Sequence, residues 1–392
     1  MPRELRTVHW ITAVLVLLAL LMDVMNDRFW LSDFRVYWGA ADALLHGTPV
    51  YGVAFGEDTG FFKYAPIVAI AFVPAALLPF QPAAVIHVLF IGLALVLCQV
   101  ALERVLMRHV FGTYPPRMVL RGILGLVIIA VLLARELHLG NINLWLVLGA
   151  VLATEALLNE SPGRAGLLLG ALWFVKPYLL LLALPLVAFG QWRAMWYAAL
   201  VMLVGLFAPI AILGHATTHA LTQAWFNAMA AHGSYLESPD TIASLVVHWS
   251  DGAWHLRNSV VIGIVGVTLF LVSVIVRRYT TADRPASFLL LLWVSLAMVP
   301  NLVITDQEHF LFSLPLIAFL LGRLFLRTSW IPLALFLLGA SLYALRSSDL
   351  WGNDLEAWWT AQGALGIGNL LLIAAAFRCM LPGSVAAAQP ER

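Results

Sequence analysis

Apolar runs separated by short polar stretches follow one another along almost the whole chain. An α-helix needs about 20 mainly apolar residues to cross the hydrocarbon core of a bilayer, and many of these runs approach that length. No polar stretch is long enough for a large soluble domain, so the pattern predicts an all-α polytopic membrane protein in which 1–392 form one integral membrane domain. The predicted bundle has about twelve transmembrane segments, at 8–25, 83–103, 118–134, 141–158, 164–175, 177–190, 194–213, 258–277, 286–303, 308–326, 329–345 and 361–380.

The apolar stretch 66–80 is treated differently, because it has only 15 residues and contains Pro74 and Pro79. We predict a juxtamembrane helix there. With this stretch excluded and the N-terminus inside, the positive-inside rule is well satisfied. Only seven of the 22 Lys and Arg residues then lie on the outer side: Arg28, Arg35, Lys63, Arg135, Lys176, Arg257 and Arg346.

This orientation predicts a multi-pass protein of the cytoplasmic (inner) membrane with both termini in the cytoplasm. The first segment follows Arg3 and Arg6 and has no small-residue cleavage site, which indicates a retained signal-anchor helix. The longest outer loops are 26–82 and 214–257. Because long loops on one face of a compact bundle are where function concentrates, we expect an extracytoplasmic site.

Composition narrows the class of protein further. The chain is 62% hydrophobic and 11% charged, whereas a soluble domain carries about 25% charged residues. The basic residues are scattered, which argues against nucleic acid as a partner. Cys98 and Cys379 lie in apolar segments and predict neither a disulfide nor a metal site. With no nucleotide-binding fingerprint and no metal-ligand spacing, we predict no cofactor, no metal and no ATP-driven pump.

Candidate chemistry begins in the first outer loop, with Ser32–Tyr51, which reads SDFRVYWGAADALLHGTPVY. A helix-like run, Trp38–Leu45, is followed by Gly47, a typical helix stop. Asp33 has two interpretations. Together with Ser32 it is suited to cap this helix, and as a carboxylate at the mouth of a bundle it is suited to act as a general base.

Two further outer stretches carry polar side chains. In RELHLGNINLW, at 135–145, the residues Arg135 and Glu136 either pair with each other or face a ligand, and Asn141 and Asn143 are suited to hold sugar hydroxyls. The tract DQEH places acidic residues and a histidine at a helix start, where acids are favoured by the helix dipole. A surface position is the plainer interpretation of that histidine.

A third feature is the junction Lys176–Pro177, between two segments too short for ordinary spans. A shallow helical hairpin would place the ammonium group at membrane depth, where it needs a cavity or an anionic partner. The alternative is one long kinked helix from which Lys176 snorkels to the surface. In the hairpin interpretation Lys176 is the natural counter-charge for a phosphate, assisted by Arg35 and Arg135.

These motifs, in this order, resemble the GT-C superfamily and specifically glycosyltransferase family 87. The resemblance rests on the loop Asp33–Tyr51, on Tyr64–Pro66 before an apolar helix with prolines, on GNIN at 140–143, on Phe174–Pro177 and on Asp306–His309. Family members tend to have Gly-Gln-x-Asn at the third motif and Ile-Lys-Pro at the fourth. Asn141 therefore replaces the usual Gln, and DQEH departs from a Ser-Trp-x-His-His pattern.

The resemblance implies a transferase that moves a sugar, mannose first of all, from a polyprenyl-phosphate donor to a glycolipid or glycan acceptor at the outer face of the bilayer. It implies Asp33 as the catalytic base of an inverting single displacement. The donor phosphate is expected at Lys176, Arg35, Arg135 and His309. The residues expected to contact substrate are Tyr37, Lys63, Tyr64, Glu136, Asn141, Asn143, Asp306 and Glu308.

Two other functions are compatible with a polytopic bundle. A transporter or flippase of lipids or lipid-linked sugars would show inverted repeats and broken helices in both halves, and no convincing internal repeat is present. A non-catalytic scaffold would leave an intramembrane Lys176 without a role.

Overall fold

The computed structural model describes residues 3–56, 60–232, 238–279, 284–303, 306–326, 329–344 and 346–380. These residues form nineteen α-helices, two 3₁₀ helices (Pro177–Leu182 and Gln307–Ser313) and one π-helical turn (Met107–Phe111). The predicted loops 26–82 and 214–257 each include positions outside the described residues (57–59 and 233–237), as does the predicted cytoplasmic C-terminus (381–392). The α-helices are α1 Arg3–Met25, α2 Ser32–His46, α3 Pro66–Ala76, α4 Phe80–Leu106, α5 Met118–Ile128, α6 Ala130–Leu139, α7 Asn143–Leu158, α8 Pro162–Val175, α9 Ala183–Ala188, α10 Trp192–Leu213, α11 His215–His232, α12 Ile242–Trp249, α13 Asn258–Tyr279, α14 Arg284–Leu302, α15 Leu314–Leu326, α16 Trp330–Ala344, α17 Ser348–Trp351, α18 Asn353–Ala361 and α19 Ala364–Met380.

The prediction of an all-α polytopic membrane fold is confirmed. Within the described residues, six helical stretches are long and apolar enough to cross a bilayer: Glu4–Met25, Phe80–Phe111, Trp192–Leu213, Asn258–Tyr279, Arg284–Leu302 and Gln307–Leu326. Two bent pairs raise the number to as many as eight, with bends of 62° between α5 and α6 and 58° between α18 and α19. The remaining predicted segments are shorter apolar helices, so twelve full crossings are not established.

The helices divide into an enclosed centre and a lipid-facing periphery. Every residue of α14 from Phe288 to Leu302 is buried, and most of α15 is buried as well. By contrast, α1, α10 and α13 expose large apolar side chains such as Leu18, Leu203 and Val267. In water such surfaces would be costly, whereas in a bilayer they face hydrocarbon.

The chain is interrupted at Lys176, as the sequence predicted. Helix α8 ends at Val175, the backbone of Lys176 is extended (φ −130°, ψ 92°), and a 3₁₀ helix starts at Pro177. A proline disfavours the α conformation of the residue before it, which accounts for the break. Lys176 is only 4% exposed. The snorkelling interpretation is therefore wrong, because the ammonium group is enclosed by protein.

Most of the apolar stretch 66–80 forms helix α3, Pro66–Ala76. Its 11 residues span about 16 Å, roughly half of a hydrocarbon core of about 30 Å. Pro66 occupies the first helical turn, where its missing N–H costs nothing. The length agrees with the prediction that this stretch does not cross the membrane alone.

A buried amide, Asn369, fixes the 3₁₀ helix Gln307–Ser313 to the bundle. Its Oδ1 accepts hydrogen bonds from Ser313 Oγ at 2.5 Å and Tyr343 OH at 2.8 Å. Its Nδ2 donates to the Ala297 carbonyl and to Asn301 Oδ1, both at 2.6 Å. All hydrogen-bonding atoms of the amide have partners, and these bonds hold the segment that carries Glu308 and His309 against the bundle.

Candidate active site

Asp33 lies in the first turn of α2, which begins at Ser32, earlier than the predicted run Trp38–Leu45. Leu31 occupies the N-cap position, and no side chain caps this helix end. The capping interpretation of Asp33 is therefore wrong. The predicted stop is confirmed, since Gly47 ends the helix in the left-handed conformation (φ 67°).

Gly140 brings the GNIN turn against the start of α2. Its φ of +69° favours glycine, and a Cβ there would lie 2.8 Å from Phe34 Cβ and 3.0 Å from Leu31 Cδ2. His87 Nε2–H donates to the Gly140 carbonyl at 2.9 Å, and its ring stacks on Phe34 at 4.2 Å between centroids. The turn and α2 are thereby held in direct contact.

The close approach places Asn141 beside Asp33. The amide nitrogen of Asn141 donates to Asp33 Oδ2 at 2.7 Å. Its oxygen accepts from the Ile142 backbone N–H at 2.7 Å and from Tyr37 OH at 3.3 Å. Because a backbone N–H only donates, the amide has a single orientation, with its nitrogen towards Asp33. Among the described residues Asp33 Oδ1 has no hydrogen-bond partner, so one carboxylate oxygen is held and the other is free to accept a proton.

An aromatic wall borders this carboxylate. Tyr37 and Tyr64 are joined by a hydrogen bond of 3.1 Å between their hydroxyls, and their rings meet edge to face at 5.4 Å. Since Tyr37 OH donates to Asn141, it accepts from Tyr64. Tyr51 OH donates to the Tyr64 carbonyl at 2.8 Å and orders the segment before α3. All three tyrosines therefore belong to one connected set.

The environment of Asp33 makes it a suitable general base. Burial, followed by the negative charges of Asp306 and Glu308, raises the pKa of Asp33 to about 6, against the opposing effects of Lys176 and Lys63. A base works best when its pKa is close to the working pH. Asp33 is partly buried and does not simply face bulk solvent, and it is within electrostatic reach of Lys176.

A second chain of hydrogen bonds runs from Glu136 to His309. The buried Glu136 carboxylate accepts from Asn143 Nδ2 at 2.9 Å and from the Leu144 backbone N–H at 3.1 Å, at the N-terminal end of α7. Asn143 Oδ1 in turn accepts from Lys176 Nζ at 2.7 Å. Glu136 thus lies behind Asn143 and orients it, with both carboxylate oxygens already bonded within the protein.

The tautomer of His309 follows from its two partners. Its Nδ1 lies 3.0 Å from the Asp306 carbonyl, which only accepts, so Nδ1 carries the proton. Nε2 is then the acceptor for Lys176 Nζ at 2.7 Å. Of the three N–H groups of Lys176, two have acceptors among the described residues. The third is available to an anionic oxygen, and the phosphate role of this residue stays a prediction.

The two arginines predicted to bind the donor phosphate lie outside this chain of hydrogen bonds. Arg135 Nε donates to Glu308 Oε1 at 2.5 Å, so the predicted alternative pairing with Glu136 is wrong. Glu308 is fully buried, and its Oε2 has no partner among the described residues. Arg35 places its guanidinium 3.9 Å from the centre of the Phe80 ring. The structure therefore does not bring Arg35 to the Lys176 cluster.

Two other side chains, those of Lys63 and Tyr178, border the cluster. Lys63 interacts electrostatically with Asp306 and Asp33, and burial lowers the pKa of Lys63. The Lys63 carbonyl accepts a hydrogen bond from Trp225 Nε1 at 2.9 Å, which ties this segment to α11. Tyr178 was not predicted, yet its ring lies 5.7 Å from His309, edge to face, and 5.9 Å from Lys176 Nζ. Its position directly after Lys176–Pro177 was the available signal.

A carboxylate, an ammonium group and a neutral imidazole therefore lie near one another in a membrane helix bundle, an arrangement suited to the active site of a polytopic membrane enzyme. The sequence comparison is more specific. The model of glycosyltransferase family 87 matches residues 61–305, more than half of the chain. The chain belongs to glycosyltransferase family 87, a GT-C type family, and is a membrane glycosyltransferase. No curated protein matches the chain.

The matched region contains part of the cluster. Lys63, Tyr64, Glu136, Asn141, Asn143 and Lys176 lie within 61–305, whereas Asp33 and His309 lie outside it. The assignment of the latter two therefore depends on their geometry, through the contacts of Asp33 with Asn141 and of His309 with Lys176.

Proposed function

We propose that this glycosyltransferase moves a sugar, mannose in the first instance, from a polyprenyl phosphate to a hydroxyl of a glycolipid or glycan. The reaction takes place at the extracytoplasmic face of the cytoplasmic membrane, and both termini lie in the cytoplasm. One observation carries the proposal: Asn141 holds one oxygen of Asp33, whose other oxygen is free, within electrostatic reach of Lys176, which keeps one N–H for a phosphate.

The proposed step is a single displacement. Asp33 Oδ1 takes the proton of the acceptor hydroxyl as its oxygen attacks the anomeric carbon. The bond between that carbon and the phosphate oxygen breaks, and the electron pair leaves with the polyprenyl phosphate. Attack opposite the leaving group inverts the anomeric configuration.

Lys176 has the complementary task of stabilising the leaving phosphate. A fixed ammonium group in a site shielded from water stabilises developing negative charge more than it would in solution. His309 and Asn143 hold Nζ from two sides, so the ammonium group does not need to reorganise during the reaction. The neutral His309 leaves the positive charge on Lys176.

The remaining residues have supporting roles. Asn141 positions Asp33, Glu136 positions Asn143, and Tyr37, Tyr64 and Tyr178 supply aromatic surfaces of the kind that sugar rings contact. Lys63 and Asp306 border Asp33 and are suited to bind substrate hydroxyls or phosphate. Arg135 neutralises the buried Glu308 carboxylate beside His309, so that this negative charge does not oppose a phosphate at Lys176.

The test uses purified wild-type protein with polyprenyl-phosphate mannose labelled in the sugar, and a lipid and glycan extract of the cell envelope as acceptor. The proposal expects label in a glycosylated product and free polyprenyl phosphate in equal amounts, with the anomeric configuration inverted. In sealed proteoliposomes, movement of intact labelled donor across the bilayer without transfer would instead identify a flippase and contradict the proposal.

A further inference from the structure

A cleft opens between four membrane helices at the end of the bundle opposite the candidate active site. Its lining comes from α1, α4, α5 and α15, and it encloses about 590 Å³ of space without protein atoms, its open mouth included. Leu5 of α1 borders the cleft, while the catalytic segment follows Met25 at the other end of α1, about 30 Å away along the helix axis.

The polarity of the lining changes along the cleft. Glu103 in the last turn of α4 and Arg121 in the first turn of α5 line the end of the cleft at the helix termini, which we call its mouth. Beyond Gln99 the lining is apolar. The residues that form this deeper part are Leu95, Leu126, Ile129, Leu314, Ile317 and Ala318.

The depth of the cleft matches one leaflet of a bilayer. Between Leu95 and Glu103, helix α4 rises about 12 Å, and half of a hydrocarbon core is about 15 Å. A charged mouth above an apolar channel of this depth has the dimensions and polarity of one lipid molecule, with its headgroup at the mouth and an acyl chain inside.

Arg121 supplies the polar contact. Its side chain is 3% exposed, and its only ion pair among the described residues is a long one, from Nη2 to Glu103 at 3.4 Å. Nε is buried and has no hydrogen-bond partner within the described part of the chain. A buried guanidinium N–H without an acceptor costs free energy, and a phosphate oxygen at the mouth would supply the acceptor.

The surroundings favour an anion over a neutral headgroup. Basic residues outnumber acidic ones around the mouth, and such clusters attract anionic lipids. At this end, the terminal turns of the four lining helices and the residues beside them carry Arg6, Arg104, Arg108, Arg117, Arg121 and Arg323 against Glu4 and Glu103. Arg104 pairs with Glu155 of α7.

We propose that this cleft binds one anionic phospholipid, with its phosphate at Arg121 and one acyl chain among α1, α4, α5 and α15. The lipid would join α1, which is little enclosed by the rest of the bundle, to its neighbours. Because α1 leads directly into α2, the lipid also steadies the segment that carries Asp33. This proposal does not depend on the sugar or the donor of the transfer reaction.

Gly125 offers a matched pair of variants. A Cβ at this position would lie 3.6 Å from Leu321 Cδ1, an ordinary contact, so Gly125→Ala fits without filling the cleft. Gly125→Leu extends a side chain into the space of the acyl chain, and Ala318→Leu fills the same space from α15. For the headgroup, the double variant Arg121→Gln, Glu103→Gln removes the charge of Arg121 without leaving Glu103 unpaired.

The experiment is native mass spectrometry of the delipidated full-length protein with equal amounts of palmitoyl-oleoyl phosphatidylglycerol and phosphatidylcholine. We expect wild type and Gly125→Ala to bind one phosphatidylglycerol in preference to phosphatidylcholine. The double variant loses that preference, because the guanidinium that would bond to the phosphate is gone while the net charge at the mouth is unchanged. Gly125→Leu and Ala318→Leu lose the bound lipid while melting at or above the temperature of wild type.

Three results would overturn the proposal. The first is equal binding of the two lipids by wild type, and the second is equal lipid retention by Gly125→Leu, Ala318→Leu and Gly125→Ala. The third is displacement of the lipid by glycerol 1-phosphate alone, because that would show that the acyl chain contributes nothing.

Discussion

Asn141 donates its amide hydrogen to Asp33 at 2.7 Å while its amide oxygen is held by the Ile142 backbone. The carboxylate therefore has one fixed oxygen and one free oxygen. This hydrogen bond links two motifs of the site, the start of α2 after the first membrane span and the tight turn before α7.

The first prediction concerns Asp33→Asn. Transfer falls by about 10²- to 10⁴-fold, the usual contribution of a general base, because an amide does not take the acceptor proton. Donor binding is retained, since Lys176 is untouched. The measurement is transfer rate beside donor affinity, with Asp42→Asn on the same helix as the control. Undiminished transfer in Asp33→Asn would remove Asp33 from the mechanism.

The same substitution, which lowers transfer, is expected to raise stability at neutral and alkaline pH. The pKa of Asp33 is about 6 in the folded protein and about 4 in an unfolded chain. Between these values the folded state binds more protons, so stability falls as pH rises from about 4 to about 6 and the loss persists above. Asp33→Asn abolishes this loss. We expect thermal unfolding near pH 8 at or above the wild-type temperature, with the advantage shrinking towards pH 5; a lower melting temperature at pH 8 would contradict the prediction.

The pH dependence of transfer tests the environment of Asp33. We expect the rate at low substrate concentration to fall below a pKa of about 6, where Asp33 is protonated. Asn141→Asp replaces the donor to Asp33 by a second carboxylate. Like charges raise the apparent pKa of the pair, so the acid limb moves upward by about one unit or more. An acid limb that stays in place would show that Asp33 does not set it.

Lys176→Gln tests the phosphate role. Loss of a charge-assisted hydrogen bond weakens donor binding by about tenfold or more, with a smaller effect on the affinity for an acceptor. The control is Arg28→Gln, an exposed cation that follows α1 on the same side of the bundle. Donor affinity is measured by displacement with polyprenyl phosphate, and we expect it to fall in Lys176→Gln but not in Arg28→Gln. Equal affinities in wild type and Lys176→Gln would exclude the phosphate contact.

Gly140→Ala tests the contact between the GNIN turn and α2. An alanine would be strained at φ +69° and would also press on Phe34 and Leu31. Since a displacement of about 1 Å costs about 10²-fold in rate, we expect a loss of that order. Gly47→Ala has the same type of strain (φ +67°) with no atom within 4 Å of the new Cβ. Its transfer rate should therefore stay near wild type, and equal losses in the two variants would attribute the effect to backbone strain alone.

Local features of the chain were predictable because their causes are local. The length of an apolar run limits which helices cross a bilayer, and Gly47 and Pro177 terminate helices through their own backbone preferences. The sequence alone therefore determined the membrane fold class, the end of α2 and the interruption at Lys176. It did not reveal the 62° bend at Ile129, where neither glycine nor proline marks the break.

Pairing was decided only by the tertiary structure. Asp33 and Asn141 are 108 positions apart, Lys176 and His309 are 133 apart, and Arg135 and Glu308 are 173 apart. A pattern of apolar and polar residues states that these side chains face a common end of the bundle, but the choice of partner depends on how distant helices pack. For that reason the sequence suggested Arg135–Glu136 and a capping role for Asp33, whereas packing gave Arg135 to Glu308 and left Asp33 with one oxygen free.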